Sequence, residues 1–254
     1  MNYSKSISAA YPGLIIILVD QSGSMSLKYG SNNQTKASVA ATTVNKVIYE
    51  IMLASQSGNK IKDRCYIGAI GYGETQQVLT GGLISQVADA MIGTDPSTEM
   101  PLWIKPVANG TTPMAQSFQM AYQIVSQWAS VNSESFPPII INITDGEPDD
   151  MEAAAKAANQ LMQLGTADGQ LLLFNAHISG DAGATELRLP APNQPLPNKY
   201  ARFLFDISTP LPDTMLAAAF NEGFSPQPGA RGFIFNAGAE TLLKLVAFGS
   251  SGMR

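Results

Sequence analysis

Three oxygen-bearing side chains follow a short apolar run near the start of the chain. Asp20, Ser22 and Ser24 are separated by single residues and come directly after the run at residues 14–19. In an extended chain alternate side chains point to the same side, so one carboxylate and two hydroxyls are directed to one point. Hard oxygen ligands of this kind suit Mg²⁺, which keeps several waters, better than Ca²⁺, which takes more carboxylates. The spacing therefore predicts a site for Mg²⁺ or Mn²⁺ at the end of the first strand.

Two further oxygen ligands are predicted in loops that lie far away in the sequence. Thr112 lies between Gly110 and Pro113, where a helix begins, and Asp145 follows the apolar run at residues 139–143. Since the carboxyl ends of parallel strands open on one edge of a sheet, these loops are expected to converge with the first one. Hydroxyls are neutral and two aspartates at most balance the ion's charge, so the bound ion keeps an attraction for an outside anion. We therefore expect an open metal position that takes an Asp or Glu carboxylate from a partner protein.

The order of these motifs resembles the von Willebrand factor A (VWA) family. Asp-Gln-Ser-Gly-Ser at residues 20–24 matches the Asp-x-Ser-x-Ser sequence of that family's metal-ion-dependent adhesion site, and Gly-Thr-Thr-Pro and Ile-Thr-Asp-Gly follow in the family's order. The resemblance covers about residues 11–249 and implies metal ligands at Asp20, Ser22, Ser24, Thr112 and Asp145. Thr111 is an alternative to Thr112, although a Thr directly before Pro is closer to the family pattern.

A finer resemblance connects the chain to stand-alone bacterial VWA proteins, including those similar to the tellurite-resistance protein TerY. It rests on Lys-Tyr-Ala-Arg at residues 199–202 and on Pro-Gly-Ala-Arg-Gly-Phe at residues 228–233. Some of these relatives are associated with a protein kinase and a PP2C-type phosphatase, so the resemblance implies a partner in a bacterial signalling or stress-response system. Residues 26–35 and 93–110 depart from the family pattern, and both segments are expected to lie beside the metal.

Each candidate ligand also has a purely structural interpretation. Ser22 and Ser24 suit a turn or a cap after a strand, and Asp145 followed by Gly suits an ordinary turn. Thr112 directly before Pro is a normal helix N-cap, which is the most serious of these alternatives because a hydroxyl can cap the helix and bind a metal.

Neighbouring residues carry similar alternatives. Glu147, Asp149 and Asp150 are interpreted as acids in the first turn of a helix, where the helix dipole favours them, rather than as metal ligands. The apolar segment at residues 102–104 is expected to pack as a short edge strand, but Trp103 also suits an aromatic anchor of a protein interface beside the metal.

The elements that must position these residues alternate along the chain. Short runs that are apolar on both faces predict buried strands at residues 14–19, 65–72, 139–143, 171–176 and 203–207. Helical periodicity or composition predicts helices at residues 44–52, 114–125, 151–164, 215–220 and 238–248, the third capped by Asp149 or Asp150. This alternation predicts an α/β fold with a doubly wound, mainly parallel sheet and helices on both faces, as in the Rossmann-like VWA fold. No long linker interrupts it, so a single domain with its core at about residues 11–249 is expected.

Composition limits the classes of function. Hydrophobic residues make up 45% and charged residues 14% of the 254 residues, and the net charge is −5, which argues against a disordered chain and against nucleic-acid binding through a general basic surface. The single cysteine, Cys65, excludes an intramolecular disulfide and favours a reducing compartment. The run at residues 14–19 is too short to span a membrane and lacks a cleavage pattern, so a soluble cytoplasmic protein with no membrane partner is expected.

These observations favour a binding module over an enzyme. The single His177 and Cys65 make no convincing catalytic pair or zinc site with other residues and are interpreted as packing residues. A Mg²⁺-dependent phosphohydrolase that uses Asp20 is the main rival, but Ser22 stands where a second acid would be expected, and no convincing lysine for the phosphate charge is present. A structural subunit whose site is filled permanently within an assembly is the third interpretation.

Overall fold

A mainly parallel sheet is formed by the buried apolar runs of the sequence. The computed structural model describes residues 3–30, 33–181, 183–236, 238, 240–241 and 244–245. Among these residues, seven strands form one sheet: β1 Gly13–Asp20, β2 Cys65–Tyr72, β3 Gln76–Leu83, β4 Ile139–Thr144, β5 Leu172–His177, β6 Leu187–Arg188 and β7 Phe233–Phe235. Their order is β6-β7-β5-β4-β1-β2-β3. β1, β2, β4, β5 and β7 run parallel, and the edge strands β3 and β6 are antiparallel to their neighbours.

Helices cover both faces of this sheet, as expected for the doubly wound fold. They are α1 Lys36–Ala54, α2 Ile84–Asp89, α3 Met114–Val131, α4 Met151–Met162, α5 Lys199–Asp206 and α6 Asp213–Asn221. Alternate residues of β1 separate the two cores. Ile15 and Ile17 pack with α1, α2 and α6, whereas Leu14, Ile16 and Leu18 pack with α3, α4 and α5. A strand buried on both faces must be apolar throughout, which explains the uninterrupted run of the sequence.

Short elements complete the described chain. A 3-10 turn, Gly23–Ser26, follows β1, and three two-stranded hairpins are formed by Gln56–Ser57 with Lys60–Ile61, Gly93–Thr94 with Pro101–Leu102, and Gly165–Thr166 with Gly169–Gln170. The helix predicted at residues 238–248 falls partly outside the described residues, and helical residues are found at 240–241 and 244–245. Within the described part of the chain, no helix combines the length and the apolar character needed to cross a membrane.

The strand predicted at residues 203–207 is wrong, because this segment belongs to helix α5. Asn198 caps the helix, and its side-chain oxygen accepts hydrogen bonds from the backbone N–H groups of Tyr200 and Ala201 at 3.0 and 2.9 Å. Ala201 and Leu204 then face the core with helical spacing. A short apolar run cannot distinguish a strand from a buried helix. The sheet position beside β5 is taken instead by Phe233–Phe235, a segment that was not predicted as a strand.

A line of buried polar side chains crosses the core on the α3 side of the sheet. The hydroxyl of Tyr72 donates to Oδ1 of Asn142 at 2.7 Å, and Nδ2 of Asn142 donates to Oδ1 of Asn175 at 2.9 Å. Nδ2 of Asn175 donates in turn to Oγ of Ser208 at 3.0 Å. Each of these side chains is therefore buried with its polar atoms paired, as buried polar groups require.

Candidate metal-binding site

The Asp-x-Ser-x-Ser segment lies at the carboxyl end of the central strand β1. Asp20 is only 1% exposed. Its Oδ1 accepts a hydrogen bond from the backbone N–H of Ser22 at 2.9 Å, and its Oδ2 accepts one from the Thr144 hydroxyl at 2.6 Å. The hydroxyl oxygens of Ser22 and Ser24 lie 3.1 Å apart. The structure thus brings the first three predicted ligands together, with the carboxylate deepest and the Ser24 hydroxyl outermost.

The environment of Asp20 disfavours its negative charge. Burial raises the pKa of this carboxyl from 3.8 to about 6, against the opposing effect of the hydrogen bonds from Ser22 and Thr144. The nearby negative charge of Asp145 raises the pKa further. A cation placed between the two carboxylates would remove this penalty, because an opposite charge favours the ionised form.

The Thr112 loop closes over the Asp-x-Ser-x-Ser segment through backbone contacts. The carbonyl of Gly110 accepts a hydrogen bond from the N–H of Gly23 at 3.0 Å. Thr112 is held by two bonds to Asp149, since its N–H donates to Asp149 Oδ1 at 2.8 Å and its carbonyl accepts from the Asp149 N–H at 3.1 Å. Thr112 itself is buried, whereas the competing Thr111 is exposed.

The helix-capping alternative for Thr112 does not describe the structure. Helix α3 begins at Met114, its N-cap residue is Pro113, and no side chain makes the capping hydrogen bond at this position. The Thr112 hydroxyl is therefore not used as the cap of α3.

Asp145 occupies a different environment from the other predicted ligands. Its Oδ2 accepts a hydrogen bond from Nζ of Lys36 at 3.0 Å, in an ion pair whose side chains are 10% (Lys36) and 6% (Asp145) exposed. Its Oδ1 is buried and has no hydrogen-bond partner among the described residues. A buried carboxylate oxygen without a partner is unusual and calls for an explanation such as a water or an ion.

An open depression of about 390 Å³ lies between these loops. It is lined by Ser22, Gly23, Ser24, Gly110, Thr112, Glu147, Pro148 and Asp149. Three of the five predicted ligands therefore line one depression, while Asp20 lies behind Ser22 and Asp145 lies beside Lys36. The three hydroxyls and the carboxylates match the hard oxygen ligands that Mg²⁺ and Mn²⁺ prefer, so the residues present fit such an ion.

Two of the three acids predicted in the first turn of a helix, Glu147 and Asp149, make other contacts. Asp150 caps α4, since its Oδ1 accepts from the Ala153 N–H at 2.9 Å. Asp149, however, fixes the Thr112 loop, and Glu147 accepts a hydrogen bond from the Tyr200 hydroxyl. The run of acids after residue 144 contains more carboxylates than one helix cap requires, which is the signal that could have identified them.

The Trp103 segment does not form an aromatic rim. Trp103 is 2% exposed, and its ring N–H donates to the carbonyl of Val87. The backbone N–H groups of Trp103 and Ile104 both donate to Oδ1 of Asn45, at 2.8 and 3.0 Å. The short strand expected at residues 102–104 lies instead at Pro101–Leu102, which pairs with residues 93–94 and ends before Trp103. The interpretation of Trp103 as an exposed interface anchor is therefore wrong.

Comparison with known proteins yields similar structures but no similar sequences. No protein-family profile matches the sequence, and no curated protein matches it either. Proximal thread matrix protein 1 from the mussel byssus aligns over 94% of this chain and 48% of its own, with 12% identity and a TM-score of 0.51. VWA2, an ArnB paralog from Sulfolobus acidocaldarius, aligns over 69% of this chain and 36% of its own, with 14% identity and a TM-score of 0.41. The manganese-loaded TRAP protein of Plasmodium vivax aligns over 65% and 57%, with 19% identity and a TM-score of 0.37.

These likenesses concern the fold. This chain spans about half the length of the mussel protein, and the alignment covers nearly all of this chain. Together with the strand order, that match confirms the doubly wound α/β fold expected from the sequence. At these identities the comparisons establish the fold class alone, so the metal ligands and the TerY-like subgroup stay predictions.

Proposed function

We propose that the chain is a VWA-type module that binds Mg²⁺ or Mn²⁺ and uses the ion to hold a carboxylate of a partner protein. The ion would be held by Asp20, Ser22, Ser24, Thr112 and Asp145. The observation that carries this proposal is the buried Oδ1 of Asp145, which has no hydrogen-bond partner among the described residues and lies near Asp20. A bound cation would give this oxygen a partner and would favour the ionised form of Asp20, whose pKa burial raises.

The ligand set explains why a partner's acid would bind there. Ser22, Ser24 and Thr112 offer neutral hydroxyls, so only Asp20 and Asp145 would offset the ion's charge. The depression is open to the outside beside these hydroxyls, which leaves room for an incoming group. When bound, the ion supplies a strong electrostatic attraction for one carboxylate, and the loops around it determine which carboxylate can reach it.

The burial of Cys65 and His177 favours a binding role over catalysis, because cysteine and histidine often act as nucleophile or base in enzymes. Burial raises the pKa of the Cys65 thiol to about 12, which makes its reactive thiolate rare at neutral pH. His177 is stacked on Phe235 with a ring-centroid distance of 4.5 Å, and burial lowers its pKa to about 4. Neither group lines the depression. If purified protein hydrolyses phosphoesters and Asp20→Asn abolishes that activity, the phosphohydrolase interpretation replaces this one.

The ligand assignment can be tested with substitutions that cost little stability. Calorimetric titration with Mg²⁺ and Mn²⁺ should show weaker binding for Ser24→Ala and Thr112→Val, by about tenfold or more, because each loses one oxygen ligand. Thr111→Val is the matched control, since it removes the neighbouring exposed hydroxyl and should bind like the wild type. Undiminished binding in Thr112→Val, or a loss confined to Thr111→Val, would contradict the assignment.

The partner is tested separately from the metal. We propose a cytoplasmic partner, and the TerY-like resemblance suggests a protein kinase or a PP2C-type phosphatase. Proteins that co-purify in Mg²⁺ and are lost in EDTA should be identified, and their acidic residues changed one at a time to the isosteric amide. One substitution should remove most of the affinity, whereas neighbouring acids should mainly alter the association rate and its salt dependence. Equal binding in Mg²⁺ and EDTA would contradict the metal-held carboxylate. It would favour an interface elsewhere on the molecule or a structural subunit in a permanent complex.

A further inference from the structure

Lys36 lies at a position where a lysine does not stabilise its own helix. It is the first residue of α1, and Thr35 caps that helix by accepting a hydrogen bond from the Ser38 N–H at 3.1 Å. A positive charge in the first turn of a helix is unfavourable, because the helix dipole is positive at that end. Lys36 is also buried, which costs solvation of its ammonium group. Its charge therefore serves a contact outside α1.

That contact is the ion pair with Asp145, and the surroundings leave room for it. A Cβ atom at Gly180 would lie 3.3 Å from Cε of Lys36 and 3.2 Å from the carbonyl of Lys28, so a side chain there would crowd the lysine. Buried ion pairs contribute little net stability, since loss of solvation offsets their attraction. Net stabilisation of the fold therefore does not explain why the pair is present.

We propose that Lys36 competes with the divalent ion for Asp145 and thereby sets the metal affinity of the site. This inference rests on the proposed function. The ammonium neutralises Oδ2 of Asp145, while Oδ1 of the same carboxylate is buried and has no hydrogen-bond partner among the described residues. An ion bound at Oδ1 would lie within a few ångströms of the ammonium, and like charges at that separation repel strongly in a buried site. The pair weakens metal binding without blocking it.

Lys36 also balances an otherwise strongly acidic environment. Asp20 lies behind the depression, and Glu147 and Asp149 line it. Without the lysine, these carboxylates and Asp145 would hold a divalent cation more tightly and would repel a partner's acid more strongly. The ammonium reduces both effects, so the lysine tunes the site toward reversible metal binding.

Metal titration of lysine variants tests the proposal. In Lys36→Met, Mg²⁺ and Mn²⁺ should bind at least about tenfold more tightly than in the wild type, because a repulsive charge is removed. Lys36→Arg keeps the charge and should retain an affinity close to that of the wild type. Lys46→Met is the matched control, since it removes a lysine about 15 Å further along the same helix and should change nothing.

Thermal unfolding provides a second readout that does not need the partner. In EDTA, Lys36→Met should unfold at a lower temperature than the wild type, because Asp145 is left buried without its counter-charge. Mg²⁺ should then raise its unfolding temperature more than it raises that of the wild type. If Lys36→Met does not fold in EDTA, the comparison is made with Lys36→Gln.

The outcomes separate this inference from the proposed function. If the wild type and all lysine variants show no binding of Mg²⁺ or Mn²⁺, the proposed function fails. If the wild type binds the ion and Lys36→Met binds it equally or more weakly, the proposed function stands and the competition proposal is overturned. Tighter binding in Lys46→Met to the same extent would also overturn it, because the effect would then reflect net charge alone.

Discussion

The connection from α2 to α3 has two halves with opposite character. The half around Trp103 is buried in the core and is held by the side chain of Asn45. The half that ends at Thr112 borders the open depression and is held by backbone hydrogen bonds to another loop. The Asn109 N–H donates to the Gln21 carbonyl at 2.6 Å, and the Gly110 carbonyl accepts from the Gly23 N–H. One loop therefore contains both an anchor and a binding edge. Substitutions at the anchor should mainly change stability, whereas substitutions at the binding edge should also change metal binding.

The largest effect is expected from the anchor. Trp103→Ala should lower the free energy of unfolding by about 3–5 kcal/mol, because it leaves a large cavity and removes the ring N–H that donates to the Val87 carbonyl alongside the Ala90 N–H. Denaturation in urea measures this loss. Val107→Ala changes a residue of the same loop that is 44% exposed, so it should stay within about 0.5 kcal/mol of the wild type. Equal losses in the two variants would remove the distinction between the halves.

At the binding edge, Gly110→Ala should reduce both stability and metal affinity. Gly110 has φ of +84°, and an added Cβ would lie 2.3 Å from the backbone nitrogen of Glu74. Gly223 has φ of +81° with nothing within 4 Å of such a Cβ, so Gly223→Ala carries the conformational cost alone, about 1 kcal/mol. Gly110→Ala should cost about 1 kcal/mol more than this control and weaken Mg²⁺ binding, whereas the control should not. Both variants are measured by urea denaturation and by calorimetric titration with Mg²⁺. Equal stability losses and equal Mg²⁺ affinities of the two variants would contradict the prediction.

The binding edge should also respond to pH in a way that the anchor does not. Because burial raises the pKa of Asp20 to about 6, the folded protein holds a proton there between pH about 4 and about 6 that the unfolded chain has released. In EDTA, this group therefore lowers stability as pH rises through that window, by no more than about 1.4 kcal/mol per pH unit. Asp20→Asn should lack this contribution, and Mg²⁺ affinity of the wild type should fall as pH drops below about 6. Parallel stability curves for the wild type and Asp20→Asn would contradict the prediction.

The smallest effect is expected from Asp149→Asn. The amide can still accept the hydrogen bond from the Thr112 N–H, but this bond loses its charge assistance, so Mg²⁺ affinity should fall by only about threefold. Asp150→Asn removes the same charge one residue further on and keeps a good cap for α4, so it serves as the control. Equal affinities of the two variants would indicate that Asp149 does not position the Thr112 loop for the ion.

Much of the fold could be predicted because its signals are local. The strands at residues 14–19, 65–72, 139–143 and 171–176 are continuous apolar runs, and each lies within one residue of an observed strand. The run at residues 203–207 failed because its periodicity is too short to separate strand from helix, and Asn198 as the cap was the better guide. The edge strand Gln76–Leu83 is largely exposed and polar at its start, so it carried no such signal.

The candidate site was also predictable only where its contacts are local in the sequence. Asp20, Ser22 and Ser24 are neighbours in the sequence, and their spacing alone predicted that they would lie together, as the structure places them. The contacts of Lys36 with Asp145 and of Asp149 with Thr112 join residues far apart in the chain, and nothing in the local sequence around either residue indicates its partner. Long-range charge pairing of this kind depends on how loops meet at the sheet edge, which a single sequence does not specify.

The hydrogen-bonded line through Tyr72, Asn142 and Asn175 has a consequence for how the strands find one another during folding. Asn142 and Asn175 lie opposite each other in β4 and β5, and a slip of one residue between these strands would turn one amide to the other face of the sheet. Each polar group left without a partner in the core would then cost about 1–3 kcal/mol. Leucine or isoleucine at these positions would tolerate several alignments, because apolar side chains pack without directional bonds. The polar line thus excludes misaligned sheets that the isoleucine-rich strands alone would permit.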